Sequence, residues 1–166
     1  MADKALYVLA GYDSETERDL SSLQNKLYEK GFSGQQTKNI PQHITLGSFP
    51  VEMEQALITR LQAVAKETTE FPVIFSHIGI FGGAKVMFVA PDCNHNLLAL
   101  KDDFGKEQGW TPHTTMLIDE PEVILQAAKI ILEQFSSFAG NVTTLHLYEF
   151  WPTRHILSVE LKRADK

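Results

Sequence analysis

The sequence predicts an α+β fold: duplicated β-α-β-α-β units forming two lobes, with antiparallel sheets around a central groove and helices outside. Three observations predict it. The stretch Pro41-Gln42-His43-Ile44-Thr45-Leu46 has an echo at Thr111-Pro112-His113-Thr114-Thr115-Met116, each reading Pro, then His-x-Thr, then an apolar residue. The two histidines are 70 residues apart (113 − 43), and the same shift lays residues 52–69 on 122–139, both of helical pattern. It also lays 73–81 on 143–151, both of strand pattern, and the Gly82-Gly83 turn on Pro152-Thr153. Similarity at a fixed period marks a duplicated unit. Each unit is too small to bury its helices alone, so the units must pack together.

In order, Leu6 to Tyr12 is an apolar run of strand length. Ser14-Glu15-Thr16-Glu17 reads as a capping box, in which the serine accepts from the Glu17 N–H and Glu17 reaches back. Leu20, Leu23 and Leu27 follow at helical spacing, and Gly31 is a fitting stop. Residues 32–40 are mostly polar, with Gly34 among them, and read as a loop. Pro41 leads into the first His-x-Thr strand and Pro50 ends it. A helix over residues 52–69 carries Met53, Ala56, Leu57, Leu61 and Val64 on one face. Phe71 to Phe81 is a strand, Gly82-Gly83 a two-residue hairpin turn, and Lys85 to Ala90 the return strand that opens the second unit. A loop over 91–96 precedes a short helix with Leu97, Leu100 and Phe104. The second His-x-Thr strand is closed by Asp119-Glu120-Pro121. Ile124, Ala127, Ala128, Ile131 and Phe135 mark the next helix, which Gly140 ends. Strands over 141–151 and 155–161 form a last hairpin, and a polar tail follows. Nothing rich in Pro, Gly or Ser separates the halves, so residues 1–166 read as one bilobal domain with halves of about 1–83 and 84–166.

At 166 residues, 43% hydrophobic and 22% charged, the chain has the composition of a soluble globular domain. A net charge of −6 supplies no basic field to attract duplex DNA, so a small or terminal phosphate is the better ligand. Cys93 is the one cysteine, which excludes an internal disulfide framework and fits a cytoplasmic location. The N-terminal apolar run is too short for a membrane span and lacks the layout of a signal peptide. A monomer without membrane partners is expected.

In a strand, side chains alternate between faces. His43 and Thr45 then share one face, as do His113 and Thr115. Two imidazoles and two hydroxyls brought face to face make a metal-free site for a phosphodiester. With an ordinary pKa of about 6.5, one histidine can take a proton from water while the other gives one to a departing ribose oxygen. The two threonines would donate to the non-bridging oxygens. Taken singly, His-x-Thr also fits a strand with a hydrogen-bonded surface histidine, and it is the repetition that favours a site.

The two motifs on a duplicated β-α-β-α-β chain resemble those of the 2H phosphoesterases, which include 2′-5′ RNA ligase-like proteins and cyclic nucleotide phosphodiesterases. The resemblance runs from about Leu6 to Leu161. It implies a two-lobed fold whose groove holds His43, Thr45, His113 and Thr115 and uses no metal or cofactor. In the second motif Thr114 and Met116 replace the family's usual aliphatics. Leu117-Ile118 stands where ligase-type members often carry an arginine, which weighs against ligation.

The expected function is a metal-independent phosphodiesterase acting on 2′,3′-cyclic or 2′-5′-linked nucleotide phosphates. The alternatives are a non-catalytic module binding nucleotides or RNA ends, and a 2′-5′ RNA ligase. A zinc hydrolase is disfavoured, since neither motif has a carboxylate at short spacing and no His-x-x-x-His is present. Trp110, Phe81 and Trp151 are candidate stacking surfaces for a base, and Lys85 and Arg154 candidate phosphate contacts. His77 and His146 read as half-buried or edge histidines on strands. His95 reads as a capping or loop residue and His155 as the solvated end of a hairpin.

Overall fold

The computed structural model describes residues 3–83 and 85–165. The expected boundary at residue 84 and the chain ends Met1, Ala2 and Lys166 lie outside the described residues. The first half runs β1 (Ala5–Tyr12), α1 (Ser14–Glu29), β2 (His43–Phe49), a 3₁₀ turn (Val51–Met53), α2 (Glu54–Glu67) and β3 (Phe71–Phe81). The second runs β4 (Val86–Pro91), α3 (His95–Asp102), β5 (Thr114–Ile118), α4 (Pro121–Gln134) and β6 (Phe138–Phe150), then adds β7 (Arg154–Glu160). This is the duplicated order that the 70-residue shift predicts.

Every pairing among these strands is antiparallel, and the order across the sheet is β2-β1-β6-β3-β4-β5, with β7 also on β6. The units therefore exchange their third strands. β6 of the second unit pairs β1 of the first, and β3 of the first pairs β4 of the second. β6 also joins the two lobes, because its 138–142 stretch pairs β3 and its 142–150 stretch pairs β1.

The duplication is visible in the register. Val8 pairs Gly47 and Leu9 pairs Thr45, skipping Leu46, while Met87 pairs Leu117 and Phe88 pairs Thr115, skipping Met116. Each motif strand thus carries a bulge directly after its threonine, a device that bends a strand and re-aims its side chains.

Alternation sorts the side chains as the period requires. Leu6, Val8, Ala10, Ile44, Leu46, Leu145 and Leu147 pack with Leu20, Leu23 and Leu27 of α1 and Leu57, Leu61 and Val64 of α2 in the main core. On the opposite face Leu9, Tyr148 and Phe150 form a smaller cluster with Tyr7 and Ile40. Helices thus cover one face of the sheet and leave the other for the groove.

Several local readings are corrected. Asp13, not Ser14, caps α1, accepting from the Thr16 N–H at 2.8 Å. Glu17 does not reach back to complete a box; both its carboxylate oxygens accept from the Gln42 N–H, at 2.9 and 3.0 Å. Gly31, at φ 90°, does end α1: its N–H donates to Tyr28 and that of Phe32 to Leu27, the paired bonds of a Schellman stop. Met53 falls in the 3₁₀ turn before α2 and is exposed, as is Ala56; the buried face of α2 is Leu57, Leu61, Val64 and Ala65. The β3–β4 turn is longer than two residues, and Lys85 belongs to it at φ 55° rather than to the return strand. Gly140 lies inside β6 and stops no helix. A Cβ there would stand 2.6 Å from Thr16 Cγ2, so the glycine lets the strand pass close to the start of α1.

Candidate active site

β2 and β5 are the two ends of the sheet order, yet they touch. Thr114 Oγ1 donates to the His43 carbonyl at 3.0 Å, which uses the hydroxyl's one proton. The buried Tyr12 hydroxyl, 2.6 Å away, must therefore be the donor to Thr114. Burial raises the Tyr12 pKa, which keeps that phenol protonated. A second clasp runs beside the first: Gln42 Nε2 donates to Gln24 Oε1 at 2.7 Å, and Gln24 Nε2 donates to the Met116 carbonyl at 3.0 Å. In a third, Trp110 Nε1 donates to the Thr45 carbonyl at 3.1 Å. The sheet thus curls until the motif strands meet, and side chains of each half hold the backbone of the other.

The two histidines are held alike. His43 Nδ1 lies 2.8 Å from the Pro41 carbonyl, and His113 Nδ1 lies 2.8 Å from the Thr111 carbonyl, two residues back in both cases. A carbonyl only accepts, so Nδ1 carries the proton and Nε2 is the exchangeable nitrogen on each ring. Burial is the main cause that sets the His43 pKa below the ordinary value; the Pro41 carbonyl opposes it, and charge on His113 adds to the lowering. His113 is also lowered, by burial first, with the Thr111 carbonyl opposing.

A cleft of about 380 Å³ opens along the groove, and His43, Thr45 and Thr115 line it. Tyr7, Leu9, Ile40 and Phe150 give it an apolar wall, and Gln35 and Gln42 add amides. Trp151 stands at its rim, its Nε1 donating to Thr37 Oγ1 at 3.2 Å. Among the described residues lining the cleft, none carries a fixed charge.

The remaining candidates fall elsewhere. His113 stands outside the cleft lining, packed by Phe81 edge-on at 4.8 Å and by Phe88 at 5.2 Å between ring centroids. Phe81 therefore supports a histidine instead of lining the cleft. Trp110 packs on the core and ties Thr45. Lys85 is paired with Glu120 at 2.6 Å. Arg154 is paired with Glu54 at 2.6 Å and with Glu149 at 3.2 Å, so neither cation faces the cleft. Among the described residues no group of three or more His, Cys, Asp or Glu converges in a way that could hold a metal ion. No helix of the described residues is long and apolar enough to cross a membrane. Three residues assigned no part in the site from the sequence matter here, and His146 is neither half-buried nor on an edge strand but buried on β6, between β1 and β3. Tyr12 and Thr114 clasp the strands, and His146 shares the sheet face of His43.

Known proteins share this fold. The fold matches E. coli LigT in its apo form with a TM-score of 0.64 at 17% identity, over 96% of this chain and 98% of that one. LigT complexed with ATP matches with a TM-score of 0.65 at 17% identity and the same coverage. TT0787 of Thermus thermophilus matches with 0.64 at 15% identity, over 97% of this chain and all of the other. No curated protein sequence matches this one. The sequence profile of the 2′-5′ RNA ligase superfamily matches residues 12–150, which takes in both His-x-Thr motifs. On that match the chain belongs to the 2′-5′ RNA ligase superfamily, the 2H phosphoesterases.

Proposed function

We propose that this protein is a metal-independent phosphodiesterase that hydrolyses 2′,3′-cyclic or 2′-5′-linked nucleotide phosphates by two-histidine acid–base catalysis. The observation that carries the reading is the matched pair of Nδ1-to-carbonyl bonds at His43 and His113. They leave one Nε2 to take a proton from the attacking water and the other to give one to the departing ribose oxygen. The roles exchange when the reaction runs in the opposite direction. Thr45 and Thr115, on the same strands, donate to the non-bridging oxygens, where charge is held through the transition state.

The cleft favours a small substrate. It has an apolar wall with amides, suited to a nucleoside, and among the described residues lining it no fixed cation to hold a run of phosphates. LigT has been crystallised with ATP and with 3′-AMP, so nucleotides enter this fold in at least one relative. Trp151 at the rim is placed to cover a base, whereas Lys85 and Arg154, spent on carboxylates, are set aside as phosphate contacts. A cytoplasmic site of action fits the free, exposed thiol of Cys93.

The test is a turnover screen of 2′,3′-cyclic mononucleotides and 2′-5′ oligoadenylate, with products resolved so that joined strands would also be seen. His43→Ala and His113→Ala should each lose about 10²–10⁴-fold in kcat while remaining folded by circular dichroism. Activity should survive EDTA. Equal turnover by parent and variants, or loss of activity with the metal, refutes the reading; nucleotide binding without turnover makes the protein a binding module.

A further inference from the structure

His146 is the buried histidine that the two-histidine mechanism leaves without a part. It lies on β6, 8% exposed, in a row that crosses four strands: Thr45 on β2, Leu9 on β1, His146 on β6 and Ser158 on β7. In the next row His43 on β2 pairs Gly11 on β1. The His146 ring leans from its own row across Gly11. A Cβ on Gly11 would stand 2.9 Å from His146 Cδ2, and Nε2 is nearer still. A glycine at this point of β1 thus leaves the space in which an imidazole edge lies beside His43. On its other side, His146 Nδ1 is 2.6 Å from Ser158 Oγ, and that oxygen is 2.8 Å from His155 Nε2. Ser158 and His155 are both exposed.

The second lobe has no counterpart. By register the position equivalent to His146 is Gly79, since Phe88 pairs Thr115 and Gly79 as Leu9 pairs Thr45 and His146. There the space is filled by the Phe88 ring, with Cε2 2.7 Å from where a Cβ on Gly79 would be. His113 is enclosed by phenyl rings, and His43 has a hydrogen-bonded imidazole at its flank.

We propose that His155, Ser158 and His146 form a proton relay between solvent and His43. The inference rests on the phosphodiesterase reading. Each hydrolysis leaves the base with one proton too many and the acid with one too few, while a bound nucleotide covers the cleft in front of His43. The relay resets His43 from its flank. In the loading direction a proton reaches His155 Nδ1 from water as Nε2–H gives its proton to Ser158 Oγ. The Ser158 hydroxyl proton passes to His146 Nδ1, and His146 Nε2–H passes its proton to His43 Nε2, directly or through one water. One proton enters the relay and one leaves it, so the positive charge comes to rest on His43 as imidazolium; His155 and His146 are left as Nδ1–H tautomers, which unloading, the reverse transfer, restores. His146 suits this transfer as a neutral ring: burial, then the neighbouring His43 and His155, push its pKa down to about 4.

The test combines turnover with a readout independent of it. His146→Gln keeps a side chain of similar reach that cannot pass a proton, and His146→Ala leaves a hole that free imidazole fits. Both should lower kcat on a 2′,3′-cyclic mononucleotide about 10-fold or more, with KM within about twofold of the parent. Ser158→Ala should do the same. Imidazole should restore the alanine variant and leave the glutamine variant unchanged. Full kcat in His146→Gln, or a loss that imidazole does not restore in His146→Ala, overturns the relay, the second result assigning His146 a packing role. Independently, the His43 titration followed by NMR in the unliganded protein should move in Gly11→Ala and in His146→Gln. An unmoved titration overturns the relay whatever the turnover. A parent protein inert towards every substrate instead refutes the phosphodiesterase reading, and the titration still decides whether His146 and His43 are coupled.

Discussion

Thr114 shows how much one hydroxyl holds. It departs from the family's aliphatic preference, and the structure gives a reason: it is the bridge between Tyr12 and the His43 carbonyl, reaching from one lobe to the other. Thr114→Val keeps the shape and removes the bridge. The buried Tyr12 phenol would then lose its acceptor and the half-buried His43 carbonyl its cross-lobe donor, at a cost of about 1–3 kcal/mol. Because the carbonyl belongs to His43 itself, its release displaces the imidazole, and kcat should fall about 10-fold or more. Thr114→Ser retains the hydroxyl and should keep most of both. Urea midpoints and turnover on the same preparations check this. If the valine variant matched the parent in each, the clasp would have no energetic role.

At the scale of elements, α1 is the brace. Its N-terminus is capped by Asp13, whose other carboxylate oxygen accepts from Asn141 Nδ2 on β6 at 2.9 Å. Farther along, Glu17 and Gln24 hold Gln42 and the Met116 carbonyl. Asp13→Ala should therefore cost about 1–2 kcal/mol in urea unfolding, through loss of the cap. Turnover should be kept, because the residues that touch the motif strands lie at least a turn beyond. A matching fall in kcat would mean that the cap and the site are one unit. The helix itself was legible in the spacing of Leu20, Leu23 and Leu27, and its stop in Gly31. Its cap was not. Ser14 and Asp13 are both good capping residues, and Glu17 fits a box only if nothing distant competes for its carboxylate. The Gln42 N–H, 25 residues away in the chain, does compete.

The whole molecule is two units that trade their third strands, and this decides what could be read in advance. His43, Thr45, His113 and Thr115 stood out because period two and a 70-residue shift are properties of the chain itself. His146 did not, because the shift sets it against Ser76, whereas its counterpart in the sheet is Gly79. Bulges and exchanged pairing move the register by amounts that no linear shift contains. Three histidines, His146 buried and His43 and His113 half-buried, also have a collective consequence. His43, His113 and His146 are all lowered, so the folded state binds fewer protons than the unfolded chain below the ordinary histidine pKa of about 6.5. A group depressed on folding contributes stability above its unfolded pKa and loses it as pH falls towards its folded one. For His146 that window runs from about 6.5 down to about 4, and the loss between pH 7 and pH 5 is about 2 kcal/mol. Glu17, raised mainly by burial, works in the opposite sense. Urea unfolding should therefore give a lower stability at pH 5 than at pH 7, and His146→Gln should remove about 2 kcal/mol of the difference. Equal stability at the two pH values would mean that these imidazoles titrate like free ones. The groove would then be wet enough to charge His146 at pH 5, and water rather than side chains would carry protons to His43.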